Sequence, residues 1–135
     1  MTQIEIAISE VRKEVINMWL LVQSQLEKAR EAMLRFDKDL AREVVMKEKR
    51  VNAAELKIDR DCENIFALHC PVAVDLRFLL AVLKINNNLE RIGDIAEGIA
   101  KYIIDSRAHF EQRVLDGMEL IRMYDDAIII LVDTR

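Results

Sequence analysis

Glycine and proline are scarce in this chain, with 3 and 1 in 135 residues, and aromatic side chains make up only 5%. So few turn formers and ring-bearing residues argue against an all-β fold and favour long helices with short connections. There are 2 cysteines, Cys62 and Cys70, eight residues apart. That spacing matches neither a zinc motif nor a CxxC redox pair and reads as two ordinary thiols. Basic excess is absent too: the net charge is −4 and the isoelectric point is near 5.3, which excludes an electrostatic nucleic-acid binder. No apolar run, Ala127 to Val132 included, approaches the ~20 residues needed to span a bilayer. The first residues carry acids and no secretory pattern, so the expected compartment is the cytoplasm. Gly-rich phosphate loops, nucleophile elbows and Ser/His/Asp sets are likewise missing.

What the chain has is apolar periodicity. Apolar residues form 52% of it and recur mostly at steps of three and four. The spacing predicts a first helix from residue 2 to about 35, along Ile4, Ile8, Val11, Val15, Met18, Trp19, Val22, Leu26, Ala29 and Met33. Asp37 is placed to cap a second helix, from about Asp39 to His69, with the stripe Leu40, Val44, Val51, Ile58, Cys62, Ile65 and Leu68. Pro71 forces a break and suits the first turn of a third helix, from about Val72 to Ile104. Its seam reads Ile85, Leu89, Ile92, Ala96, Ile99 and Ile103. A fourth helix is expected from near Arg107 onward. Helices of roughly 30 residues are about 45 Å long, and short connections make them antiparallel neighbours. The expected fold is all-α: an up-down three-helix bundle over residues 1–105, with residues 106–135 as the first helix of a second, incomplete bundle.

The chemistry that remains is carboxylate chemistry. Acids stand four apart at six places, among them Glu55/Asp59 and, 35 residues on, Glu90/Asp94. Such pairs share a helix face, and two carboxylates there repel unless a cation intervenes. Asp and Glu with water can build octahedral sites for magnesium, manganese or iron. Most such pairs are nonetheless solvated faces neutralised by Lys and Arg. On a helical wheel with Ile85 at zero, Glu90 and Asp94 fall near about 140° and 180°, away from the seam. Glu55 and Asp59 flank the second helix's stripe. Whether the two pairs meet stays open at this level. Neither His69 nor His109 has a Glu three residues before it, which argues against a di-iron oxidase. Asn86-Asn87-Asn88 is an unusual polar patch within a helix and suggests packing against polar backbone or water. Gly93 costs ~1 kcal/mol against Ala in a helix and suggests close approach of a neighbour.

The ordered set Val51-Asn52, Glu55, Ile58-Asp59, Pro71, Asp75-Leu76-Arg77, Lys84 and Leu89-Glu90-Arg91-Ile92-Gly93-Asp94 closely resembles the PhoU family of phosphate-signalling regulators. The likeness covers about Leu40 to Ile103. It implies an all-α fold of two similar three-helix bundles, with surface metal clusters, often iron, held by acid pairs. Those pairs map onto Glu55/Asp59 and Glu90/Asp94, with Glu48 as an added ligand. It implies no catalysis. It implies contact with a phosphate ABC transporter's ATPase and a membrane sensor histidine kinase, and repression of the phosphate-starvation response when phosphate is plentiful. A related module on a sodium–phosphate cotransporter, with metal incidental, is the alternative. The chain holds one bundle and one further helix, so it is expected to be a fragment or a form completed by homo-oligomerisation.

Overall fold

The structure is a computed structural model, and it describes residues 2–105 and 121–131. Three long helices fill the first stretch: α1 (Gln3–Arg35), α2 (Lys38–His69) and α3 (Ala73–Asp105). Residues 121–131 form a further helix, α4. The expected start of the fourth helix near Arg107 lies outside the described residues.

The ends of the helices follow from local chemistry. The Thr2 hydroxyl accepts from the Glu5 amide at 3.2 Å and opens α1. Phe36 closes it in the left-handed region, which lets the Asp37 amide donate to the Ala32 carbonyl at 3.0 Å. Asp37 caps α2 as expected, accepting from the Leu40 amide at 3.1 Å. Cys70, also left-handed, ends α2. Pro71 does break the chain, but it is not in the first turn of α3. The Val72 carbonyl accepts from the Leu76 amide at 2.8 Å, so Val72 holds the cap position and Pro71 precedes it.

Each of α1, α2 and α3 packs against the other two. Arg12 lies over the Phe78 ring, 5.0 Å from its centre, so the starts of α1 and α3 are side by side and α2 runs the other way. The core contains Val11, Met18, Val22 and Leu26 from α1, Val44, Val51, Ile58 and Cys62 from α2, and Leu79, Leu89, Ile92, Ile99 and Ile103 from α3. Ala127 and Leu131 of α4 join the same core, and the Met123 side chain lies 3.3 Å from where a Cβ on Gly98 would be.

Two stripe assignments change. Leu68 is 76% exposed, because α2 is ending there and no longer faces a neighbour. Ile85 is only partly buried, and Asn86 takes the seam position instead. The α3 seam thus runs Leu79, Val82, Asn86, Leu89, with steps of three and four. The buried polar residues among those described are Gln25, Glu48 and Asn86, one on each long helix.

Candidate functional site

The antiparallel pairing of α2 and α3 brings the two acid pairs to one face. Glu55 of α2 has its carboxyl pushed up by burial first, then by the charges of Asp59 and of Asp94 on α3. Glu90 is pushed up to about 7, chiefly by the hydrogen bond it shares with Asp94, with burial and the charges of Asp94 and Glu55 adding to this. The wheel anchored on Ile85 therefore misplaced Glu90 and Asp94. With the seam shifted to Asn86 and Leu89, they lie on the flank of α3 that faces α2. Two further acids join them. Glu48 on α2 feels the charges of Glu97, Asp94 and Glu90 on α3. The face thus carries six carboxylates: Glu48, Glu55 and Asp59 from α2, and Glu90, Asp94 and Glu97 from α3.

Glu48 is the least ordinary of the six. It is 1% exposed and occupies a seam position between Val44 and Val51. Burial pushes its carboxyl up to about 7, against the pull of a hydrogen bond from Gln25, and the neighbouring acids push the same way. One oxygen, Oε2, accepts from Gln25 Nε2 at a long 3.5 Å; the other, Oε1, is buried with no hydrogen-bond partner. Space for this carboxylate comes from Gly93. A Cβ there would stand 2.9 Å from Glu48 Oε1 and 3.1 Å from Val51 Cγ1. The close approach expected at Gly93 is real, and its nearest contact is with a carboxylate.

Buried amides flank the row. Asn86 Nδ2 donates to the Glu55 carbonyl at 3.0 Å and to Asp59 Oδ1 at 2.9 Å. Asn86, of the asparagine patch, thus contacts polar backbone. Gln25, from α1, donates through Nε2 to the Val44 carbonyl at 2.6 Å and to Glu48. Gln25 was not legible as a site residue, since glutamine is an ordinary helix-surface residue. Its place on the apolar repeat, three residues after Val22, is the signal that locates it.

Cations are sparse on this face. Lys101 pairs with Glu97 at 3.1 Å, and Arg91 partly offsets Glu90. Among the described residues, no three His, Cys, Asp or Glu side chains are drawn together as a ready-made coordination set. The donor set nevertheless suits a hard cation. It offers several carboxylates, one of them buried with an orphan oxygen in a hollow that a Cβ at position 93 would close. Glu48, Glu55, Asp59, Glu90 and Asp94 are the residues that would hold such ions, with Glu48 and Asp59 too far apart on α2 to share one, about 16 Å along the helix. His69 ends α2 and lies apart from this row.

Residues 15–103 match the PhoU domain family model. The phosphate-specific transport system accessory protein PhoU of Serratia marcescens is 36% identical over 117 residues, 87% of this chain and 48% of that protein. Its counterpart from Escherichia coli is 35% identical over the same shares. The crystal structure of PhoU from Pseudomonas aeruginosa superposes with a TM-score of 0.73 at 28% identity, covering 97% of this chain and 66% of that one. The chain spans about half the length of the curated relatives it matches. With a family model covering most of α1, all of α2 and nearly all of α3, the chain belongs to the PhoU domain family.

Proposed function

We propose that this chain serves as a regulatory adaptor of phosphate uptake and phosphate-starvation signalling, acting by protein contact and not by catalysis. The relatives are named as accessory proteins of a phosphate-specific transport system, which supports the association with that system. In this reading the partners are the transporter's ATPase and a membrane sensor kinase, met from the cytoplasmic side. No helix among the described residues is long and apolar enough to cross a membrane. The exposed Ile121 and Ile129 of α4 support self-association into a homodimer or higher homo-oligomer.

The observation that carries the reading is the under-neutralised α2/α3 carboxylate row of a PhoU domain. We assign it transition-metal ions, iron in the family's pattern. The ions would neutralise the row and convert an anion-repelling face into one that tolerates phosphate. The chain's own residues supply ligands from two rigid helices and exclude water from the Glu48 end.

The test uses a bacterial strain that lacks its PhoU and carries a phosphate-starvation reporter. Expression of the chain should restore repression in phosphate-replete medium. A variant carrying Glu55→Ala, Asp59→Ala, Glu90→Ala and Asp94→Ala should not, at equal protein level. Equal repression by both would separate the adaptor role from the acid row, and no repression by either would remove the adaptor role.

A further inference from the structure

One line of residues on α3 changes character halfway along. At steps of four and three it reads Leu76, Leu80, Leu83 and Asn87, then Glu90, Asp94 and Glu97, which places them on one flank of the helix. The first half is apolar and open to solvent: Leu76 is 38% exposed and Leu80 54%. The second half is the α3 side of the acid row. Hydrogen bonds from Asn86 to the Glu55 carbonyl and to Asp59 fix the level of α2, so the α2 acids stand beside the acidic half. From Leu76 to Glu97 the line is about 32 Å long, the length of a helix of roughly 20 residues.

The chemistry of the face selects what would cover it. Six carboxylates against Lys101 and Arg91 leave the row short of positive charge. Independently, Glu48 Oε1, on a residue 1% exposed, is turned toward α3 at Gly93 and has no hydrogen-bond donor among the described residues. The row therefore calls for groups that carry both charge and N–H donors, as lysine and arginine do. It repels nucleic acid and anionic lipid. Beside the apolar half, the exposed Arg77 and Lys84 hold cations off. An occupant thus fits in one placement, with its cations over Glu90, Asp94 and Glu97 and its apolar side chains over Leu76 and Leu80.

We propose that the α2/α3 face is a docking groove for a helix of a partner protein, rich in lysine or arginine along one half of its contact face and apolar along the other. This rests on the adaptor reading above and names the surface through which the contact is made. Burial at Leu76 and Leu80 supplies affinity, and the acid row supplies steering and register. Ions in the row would take up the charge that attracts the helix, so docking is read without them.

The test is fluorescence anisotropy of a labelled synthetic helix of about 20 residues, leucine over one half of its contact face and lysine over the other, titrated with the full chain in EDTA. A control peptide has the same composition with its leucines and lysines intermixed. The half-and-half peptide should bind about tenfold more tightly than the intermixed one. Leu76→Ser with Leu80→Ser, and separately Glu90→Ala with Asp94→Ala, should each weaken it about tenfold. Ile16→Ser with Leu20→Ser, at exposed positions of α1, should leave it unchanged. No binding, equal binding of the two peptides, or indifference to both α3 variants overturns the inference. A dimer of the chain that Leu76→Ser with Leu80→Ser dissolves, with no peptide binding, also overturns it, since a second copy is then the occupant. If a variant does not fold, amide shifts of the wild-type chain decide: the peptide must move residues 76–97 and leave Ile16 and Leu20 still. The readout is binding and not repression, so a chain that represses the reporter without taking the peptide keeps the adaptor role and loses the groove.

Discussion

The two faces of α2 handle acids in opposite ways. Toward α1, acids are paired: Lys28 and Lys47 bracket Glu43 at 2.9 and 3.0 Å, and Lys57 bridges Glu14 and Asp61. The lysines hold the Glu43 carboxyl below the usual range, first through the Lys28 hydrogen bond. Toward α3, six carboxylates share Lys101 and Arg91, and Glu48 and Glu90 are pushed up to about 7. The α1 side sets Glu14, Glu43 and Asp61 against three lysines, whereas the α3 side sets twice as many acids against Lys101 and Arg91. An acid pair at i, i+4 therefore carries no functional information until the cations around it are known.

The largest effect that would sharpen this contrast is ligand linkage. Mn²⁺ at about a hundred times its dissociation constant should stabilise the chain by ~2.7 kcal/mol, read from urea unfolding. It should do nothing for a variant lacking Glu55, Asp59, Glu90 and Asp94. Next comes pH. Glu48 and Glu90 bind protons more tightly in the folded chain than an ordinary glutamate does at 4.5, so their contribution is fully present below pH 4.5. It is lost as pH rises through about 7. Metal-free protein should thus lose stability over that window, with Glu48 supplying on the order of 2 kcal/mol. Glu48→Gln should flatten the dependence, and an undiminished slope in that variant would remove Glu48 from the account.

A smaller effect is expected at Gly93. Gly93→Ala gains ~1 kcal/mol of helix propensity but crowds Glu48 and Val51, and overpacking costs about 1–3 kcal/mol. A net loss on the order of 1 kcal/mol is expected. In a Glu48→Ala background the same change should turn neutral or stabilising. A double-mutant cycle measures this, and additivity would show that Glu48 does not occupy the hollow. The smallest effect is on the paired face. Lys57→Met should lower the urea midpoint slightly and leave Mn²⁺ affinity untouched. A gain of cation binding there would show that lysine supply alone separates the two faces.

Much of this was legible in the residues themselves. Asp37 announces a cap, Pro71 a break, and the steps of three and four announce the seams. Glu55/Asp59 and Glu90/Asp94 stand out through their ordered neighbours. Their meeting was not legible, because a wheel depends on its origin. Ile85, apolar and on the repeat, was a natural origin and lies one residue off the seam. Asn86, the true seam residue, reads as surface by type. Gln25 is hidden for the same reason. Glu48 was visible as an acid two turns from Glu55, but its burial depends on the absent Cβ of Gly93, 45 residues away in sequence and adjacent only in the fold. Leu68 errs the other way, an apolar residue on the repeat whose helix ends before it finds a neighbour.

The most direct test of the central claim is elemental analysis of the purified chain beside the Glu55→Ala, Asp59→Ala, Glu90→Ala, Asp94→Ala variant, both checked for helix content. The account predicts transition metal with the native chain and none with the equally helical variant. Equal metal content in both, or none in either after incubation with iron or manganese, would contradict it and leave the α2/α3 row as a solvated or partner-facing surface.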